Sequence, residues 1–274
     1  MGYRLLAFDL DGTLYDRHAG PTIPSRTREA VDRVRRLGAE VTIATGRMFN
    51  STLRFSTELG LTTPIICFQG ALVIDPVTEE VIWERRIPVD VAKDVIGLLE
   101  GLGLTPYVFV RDSFYVHKRN LRVEQYEDAL NVQAEEVGDL GGFLEEDPTK
   151  LVVVGNDGQI SEAMHRTQEA FGPTLSIVKT YDTLCEIGHP EGSKAKALSF
   201  LARRLGVSRE ETVAVGDSPN DVDMIRWAGL GVAMANSPTE VQSAADLVIK
   251  PVSQEGVVEF LDSLISEGRI SPLR

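Results

Sequence analysis

Both ends of this chain alternate short β-rich runs with amphipathic stretches, and that alternation limits its fold more than any other feature. Near the N-terminus the runs are residues 3–8 (YRLLAF), 40–44 (EVTIA) and 64–68 (PIICF). Helical patterns over 25–37 and 48–59 separate them. In the first of these, Ala30, Val34 and Leu37 share a face, with Ser25 placed to cap it and Gly38 to stop it. Near the C-terminus the runs are 212–215 (TVAV), 231–234 (GVAM) and 247–249 (LVI). One helix is expected over 193–205, with Ala197, Leu198, Leu201 and Leu205 on one side, and another from Ser218-Pro219 to Gly229. Strands joined by helical crossovers form a parallel sheet covered on both faces. The expected fold class is therefore α/β, with the two outer stretches sharing one sheet. The middle differs. Strand-like pieces at 107–110 and 114–117, joined by Arg111-Asp112-Ser113, read as a hairpin, followed by strands at 151–154 and 184–187. With helical patterns near 90–100 and 158–171 this is an α+β module inserted into the sheet domain. The expected domains are 1–83 plus 189–274, and 84–188.

Composition narrows the function. The 274 residues suit one large domain or two smaller ones, and 43% hydrophobic with 25% charged residues is ordinary for a globular chain. A net charge of −13 repels nucleic acid and anionic lipid, yet allows a small anionic substrate wherever a cation reverses the local field. No run reaches the ~18 apolar residues that span a bilayer, and the first ten residues drop at once into carboxylates. A cytoplasmic protein is expected, without nucleic-acid or membrane partners; nothing in the sequence sets its oligomeric state. Cys67 and Cys185 sit among apolar residues, as buried free thiols do in a reducing compartment. His18, His117, His165 and His189 have no ligand spacing and read as surface or junction residues. The absence of G-x-G-x-x-G after the first strand excludes a dinucleotide site.

Four short clusters carry chemistry, three of them just past a predicted strand, where ligand sites of open parallel sheets lie. The first is Asp9-Leu10-Asp11-Gly12-Thr13. Alternation puts Asp9 and Asp11 on one side, and two carboxylates ~4 Å apart repel by about 4 kcal/mol at an effective dielectric of about 20. A cation or shared proton must offset that cost. The second, Thr45-Gly46-Arg47, offers a hydroxyl and an amide for an anion, or is a plain turn into a helix. The third, Lys194, opposes the dipole of its own helix. It is either a phosphate ligand or a solvated lysine like Lys196. The fourth is Gly216-Asp217-Ser218-Pro219-Asn220-Asp221. There Ser218-x-x-Asp221 is also a capping box, which accounts for Asp221 but not for Asp217. Oxygen ligands without His or Cys suit magnesium with retained waters and a substrate phosphate.

DLDGT (9–13), TGR (45–47), Lys194 and GDSPND (216–221) resemble, in order, the four motifs of the haloacid dehalogenase superfamily phosphatases. VTIATGR, AVGDSPNDVDMI and GVAMANS resemble its Cof-type (class IIB) branch. Two positions depart from the branch: Ala195 follows Lys194 where Gly is usual, and Ala235-Asn236-Ser237 replaces a Gly-Asn-Ala pattern. The resemblance implies a Rossmann-like core with 84–188 as an inserted cap, or substrate lid. It implies Asp9 as nucleophile and Asp11 as acid and base. Mg2+ would be held by Asp9, Asp11 through its carbonyl, and Asp217, with Asp221 in support. Leu10, Thr45, Gly46, Lys194 and Asn220 would hold the phosphate of a small phosphorylated metabolite. Arg47 and the basic cluster Lys118-Arg119-x-x-Arg122 carry no firm role; the cluster meets an anionic substrate tail or is a solvated helix face. The other readings are a phosphotransferase or phosphosugar mutase using the same chemistry, and a non-catalytic phosphate-sensing module.

Overall fold

The computed structural model describes residues 2–16, 20 and 22–273; His18 lies outside them. Along the chain the elements are β1 (Leu5–Phe8), α1 (Ser25–Arg36), β2 (Glu40–Ile43), α2 (Phe49–Glu58), β3 (Ile65–Cys67), β4 (Leu72–Ile74) and β5 (Val81–Glu84). Next come α3 (Val89–Gly101), β6 (Tyr107–Val110), β7 (Ser113–Val116), α4 (Leu121–Leu130), β8 (Ala134–Glu136), α5 (Leu140–Phe143), β9 (Lys150–Val154), α6 (Asp157–Phe171), β10 (Ser176–Tyr181) and β11 (Leu184–Gly188). The chain finishes with α7 (Lys194–Arg204), β12 (Thr212–Gly216), α8 (Val222–Trp227), β13 (Leu230–Met234), α9 (Thr239–Ala244), β14 (Leu247–Ile249) and α10 (Gly256–Ser266). They fall into two compact units, Met1–Gly46, Thr52–Trp83 and Ser193–Arg274 in one, Arg47–Ser51 and Glu84–Gly192 in the other.

The first unit is built on a parallel sheet of order β14-β13-β12-β1-β2. Strands from both ends of the chain are therefore neighbours, and the fold is α/β as expected. Leu5, Ala7, Ala44, Ala214 and the apolar face of α7 (Ala197, Leu198, Leu201) pack into one core. Cutting a buried Leu such as Leu198 to Ala in such a core costs about 2–5 kcal/mol. Residues 65–67 do not extend this sheet as a further strand. They pair antiparallel with β4 in a separate sheet of order β3-β4-β5, and meet the main sheet through a bridge from Ile66 to Ala44. The antiparallel pairing follows from the link after Cys67: a tight turn, not a crossover helix, returns the chain directly alongside itself.

The second unit has a six-stranded sheet of order β10-β11-β9-β6-β7-β8. Val108, Val110, Leu151, Val153 and Ile187 pack with Val95, Ile96 and Leu99 of α3 and with Ile160 of α6. Alternation sends Phe109 to the other face, stacked on Phe114 at 5.2 Å between ring centroids, with Tyr126 of α4 edge-on to both.

Three local expectations change. Pro24 occupies the cap position of α1 and Ser25 is its first helical residue, because the extended backbone of Pro24 (φ −55°, ψ 141°) already precedes the helix. The hairpin link is Arg111-Asp112, with Ser113 already paired to Val110 and Arg111 left-handed at φ 53°. The helix expected from Ser218 to Gly229 is divided, a 3-10 turn over Pro219–Asp221 preceding α8. His117 and His165 are exposed and His189 is half-buried. Cys67 and Cys185 are free and buried, and burial followed by the Glu186 charge pushes the Cys185 thiol up to about 12. Among the described residues no helix is long and apolar enough to cross a membrane.

Candidate active site

Three strands of the central sheet end on one edge. Phe8 pairs with Ile43 on one side and Val215 on the other, so Asp9, Thr45 and Asp217 each follow a strand at its carboxyl end. From β1 the chain proceeds to β2, and from β12 it proceeds the opposite way to β13. Asp9 and Asp217 thus flank the point where the strand order diverges, the usual ligand position in such sheets.

One carboxylate oxygen from each of Asp9, Asp217 and Asp221 lies within 4.8 Å of the others. Lys194 enters this cluster from the first turn of α7. Its Nζ donates to Asp9 Oδ1 and to Asp221 Oδ1, 2.6 Å each, and its side chain has 0% exposure. The sequence left open whether Lys194 is solvated; it is buried, whereas Lys196 is exposed. The two carboxylates answer the conflict with the helix dipole. Asp221 is the capping residue and more: its Oδ2 accepts the N–H groups of Asp217 and Ser218, both at 3.0 Å. Both of its oxygens are therefore engaged.

Asp217 accepts from the Thr13 hydroxyl at 3.3 Å, and Asp11 accepts from the Tyr15 hydroxyl at 3.0 Å. Gly12 makes the turn between them possible. Its φ is +86°, and a Cβ there would stand 2.3 Å from an Asp217 carboxylate oxygen. Leu10 is fully buried, its carbonyl accepting from the N–H groups of Leu14 and Tyr15. Thr45 is buried and Gly46 half-buried on the same edge. Asn220 is half-buried, its Nδ2 donating to Gln69 Oε1 at 2.9 Å. Arg47 belongs to the other unit, where it donates to Ser51 Oγ at 3.1 Å. Of the basic cluster there, Arg119 pairs with the buried Glu127 at 2.6 Å, and Arg122 reaches the Val154 carbonyl at 3.4 Å.

The charges do not balance. Three carboxylates face one ammonium, an excess of two negative charges. Burial, and then the Asp221 charge, pushes the Asp217 carboxyl up to about 7, with Thr13 and Lys194 acting the other way. Asp9 is raised well above the usual carboxylate range by burial and by Asp221, with Lys194 holding it back. Burial pulls Lys194 down, but Asp221 and Asp9 outweigh it and its net shift is upward. Hard oxygen donors, two surplus charges and backbone folded closely around Asp217 make this cluster fit a divalent cation.

Three residues with no role assigned from sequence make contacts here. Thr13 and Tyr15 carry hydroxyls that contact Asp217 and Asp11, and their proximity to DLDG was the available signal. Gln69 bonds to Asn220 from a turn with no recognisable pattern.

This sheet, with acidic loops at its carboxyl edge and a buried lysine between them, defines a class of hydrolase. A family model described as haloacid dehalogenase-like hydrolase matches residues 6–261. The chain belongs to that family, as a phosphatase. It is similar to the 5-amino-6-(5-phospho-D-ribitylamino)uracil phosphatase YitU of Bacillus subtilis, with 30% identity over 96% of this chain and 97% of that protein. The solved structure of TM0651 from Thermotoga maritima has a TM-score of 0.85 and 32% identity, covering 95% of this chain and 97% of the other. The HAD subclass IIB sugar phosphatase BT4131 has a TM-score of 0.83 and 27% identity, covering 95% and 98%.

Proposed function

We propose that this phosphatase is magnesium-dependent and hydrolyses a small sugar or polyol phosphate through an aspartyl-phosphate on Asp9. The observation that carries the reading is the convergence of the Asp9, Asp217 and Asp221 carboxylates within 4.8 Å, bridged by a buried Lys194. Asp9 and Asp217, with the Asp11 carbonyl, would hold the metal. Asp221, whose oxygens are already engaged, would support them. When bound, Mg2+ offsets the surplus negative charge and lets an anionic phosphate approach an anionic carboxylate.

The remaining work falls to the protein. An Asp9 oxygen attacks phosphorus as the bond to the leaving oxygen breaks, and Asp11 gives that oxygen a proton. Asp11 then takes a proton from water, whose oxygen attacks the same phosphorus, releasing phosphate and restoring Asp9. The Tyr15 hydroxyl steadies Asp11 between these tasks. Lys194 has three N–H donors, two used on carboxylates, so the third is left for a phosphate oxygen. Thr45, Asn220 and the backbone amides of Leu10 and Gly46 complete that cradle. The inserted residues 84–188 serve as the cap that selects the substrate. The related ribitylaminouracil phosphatase and sugar phosphatase support a polyol-like leaving group.

Asp9→Asn tests this reading by phosphate release from p-nitrophenyl phosphate with Mg2+ present. Activity falls by at least ~10³-fold with the melting temperature preserved; normal turnover rules Asp9 out as nucleophile.

A further inference from the structure

Phe68, Gln69 and Gly70 all have positive φ, at 50°, 58° and 95°. Two consecutive non-glycine residues in the left-handed region are costly and persist only where the surroundings hold them. Here the turn is fastened at several points. The Gln69 N–H donates to the Thr45 carbonyl at 3.0 Å, the Ala71 N–H donates to the Phe68 carbonyl at 3.0 Å, and Gly70 packs against the backbone of Ser193 and Lys194. Phe68 is buried, while Gln69 carries its amide out of the turn.

That amide lies between two of the clusters assigned to the phosphate site. Its Oε1 accepts from Asn220 Nδ2 at 2.9 Å. Its Nε2 fills the space a side chain at residue 46 would need, 2.4 Å from where a Cβ would stand. A side chain at residue 46 would displace the Gln69 amide from this position. Asn220 depends on the same contact. Its Oδ1 is buried with no hydrogen-bond partner among the described residues, so its own surroundings do not fix the amide plane. The bond to Gln69 does so, and it uses one of the two N–H groups of Asn220, leaving the other for an anion.

We infer that Gln69 is a positioning residue of the phosphate site, holding the Asn220 amide in the orientation that donates to a phosphate oxygen. The inference rests on the phosphatase reading above. A purely structural turn would behave differently. Glycine at position 69 would remove the left-handed strain, keep the backbone bond to Thr45 and lose nothing at the site.

The test is a double-mutant cycle with two readouts, the inhibition constant of inorganic phosphate against p-nitrophenyl phosphate with Mg2+ present, and the melting temperature. Gln69→Leu weakens phosphate inhibition about 10-fold, the loss of one charge-assisted hydrogen bond. Asn220→Ala weakens it at least as much. The double variant is no worse than Asn220→Ala alone, because Gln69 acts through Asn220. Gln69→Gly melts no lower than the wild type yet shows the same loss, and it decides the matter if Gln69→Leu does not fold. Wild-type phosphate inhibition in Gln69→Gly overturns the inference. So does a double variant with the product of the two effects, about 100-fold. A wild-type protein without turnover rejects the phosphatase reading itself. Normal wild-type turnover with unaffected Gln69 variants rejects only the role of Gln69.

Discussion

Lys194→Met removes the ammonium from between Asp9 and Asp221 while keeping most of the buried stem, so the loss isolates charge from packing. Nζ lies 2.6 Å from both carboxylates, and the Lys194 and Asp221 side chains have no exposure. Breaking a buried pair by deleting one partner costs about 3–5 kcal/mol, because the other charge is left without compensation. Here two carboxylates lose the same counter-ion, so the lower figure is a floor. In a unit of this size each kcal/mol moves the midpoint by about 2–4 °C, which gives a fall of about 6–20 °C. The assay is thermal unfolding in EDTA at pH 8 and pH 5.5. Asp9 and Asp217 already bind protons more readily than in the unfolded chain, and losing Lys194 raises both further. Protonation therefore relieves the variant at low pH, and the deficit is larger at pH 8 than at pH 5.5. Lys196→Met, at an exposed position on the same helix, changes stability by no more than about 0.5 kcal/mol. A Lys194→Met midpoint within about 2 °C of wild type at pH 8, against the 6–20 °C expected, or a deficit that grows on acidification, refutes the reasoning.

In the wild type without metal, a folded-state pKa of about 7 for Asp217 against an ordinary 3.8 means that the folded protein holds a proton the unfolded chain has released. Stability therefore falls as pH rises between those values, and melts in EDTA from pH 5 to pH 8 show it; a midpoint that rises over that range contradicts the assignment. Added Mg2+ raises the midpoint more at pH 8 than at pH 5, since the cation competes with the proton for the same oxygens. Gly12→Ala forces a Cβ into the Asp217 carboxylate at a left-handed position, costing about 1–3 kcal/mol and weakening Mg2+ affinity. Calorimetric Mg2+ titration checks the second effect.

The parallel sheet was legible because its strands are short, β-rich and separated by helices with clear apolar faces. Asp9, Thr45 and Asp217 were legible because each follows a strand predicted to end on one sheet edge, so clusters that are weak singly converge there. What pattern alone missed depends on spatial neighbours. β3 pairs with β4 because residues 68–70 turn back, and two of the three positive φ values behind that turn fall on a Phe-Gln pair that carries no sequence signature for them. Burial of Lys194 was open for the same reason. Lys194 and Lys196 differ only by their place on α7, and the partners that bury one of them, Asp9 and Asp221, are 185 and 27 residues away. Thr13 and Tyr15 were visible as residues, but the contacts to Asp217 and Asp11 appear only once the loop is closed.

Surplus negative charge around Asp9 and Asp217, balanced by a dication that admits a phosphoryl group, underlies every role assigned at this site. The direct measurement is the rate of phosphate release by EDTA-stripped protein as Mg2+ is titrated back. The rate climbs from background to a plateau, and Asp217→Asn shifts that curve to much higher Mg2+. Equal rates in EDTA and in saturating Mg2+ would contradict the account.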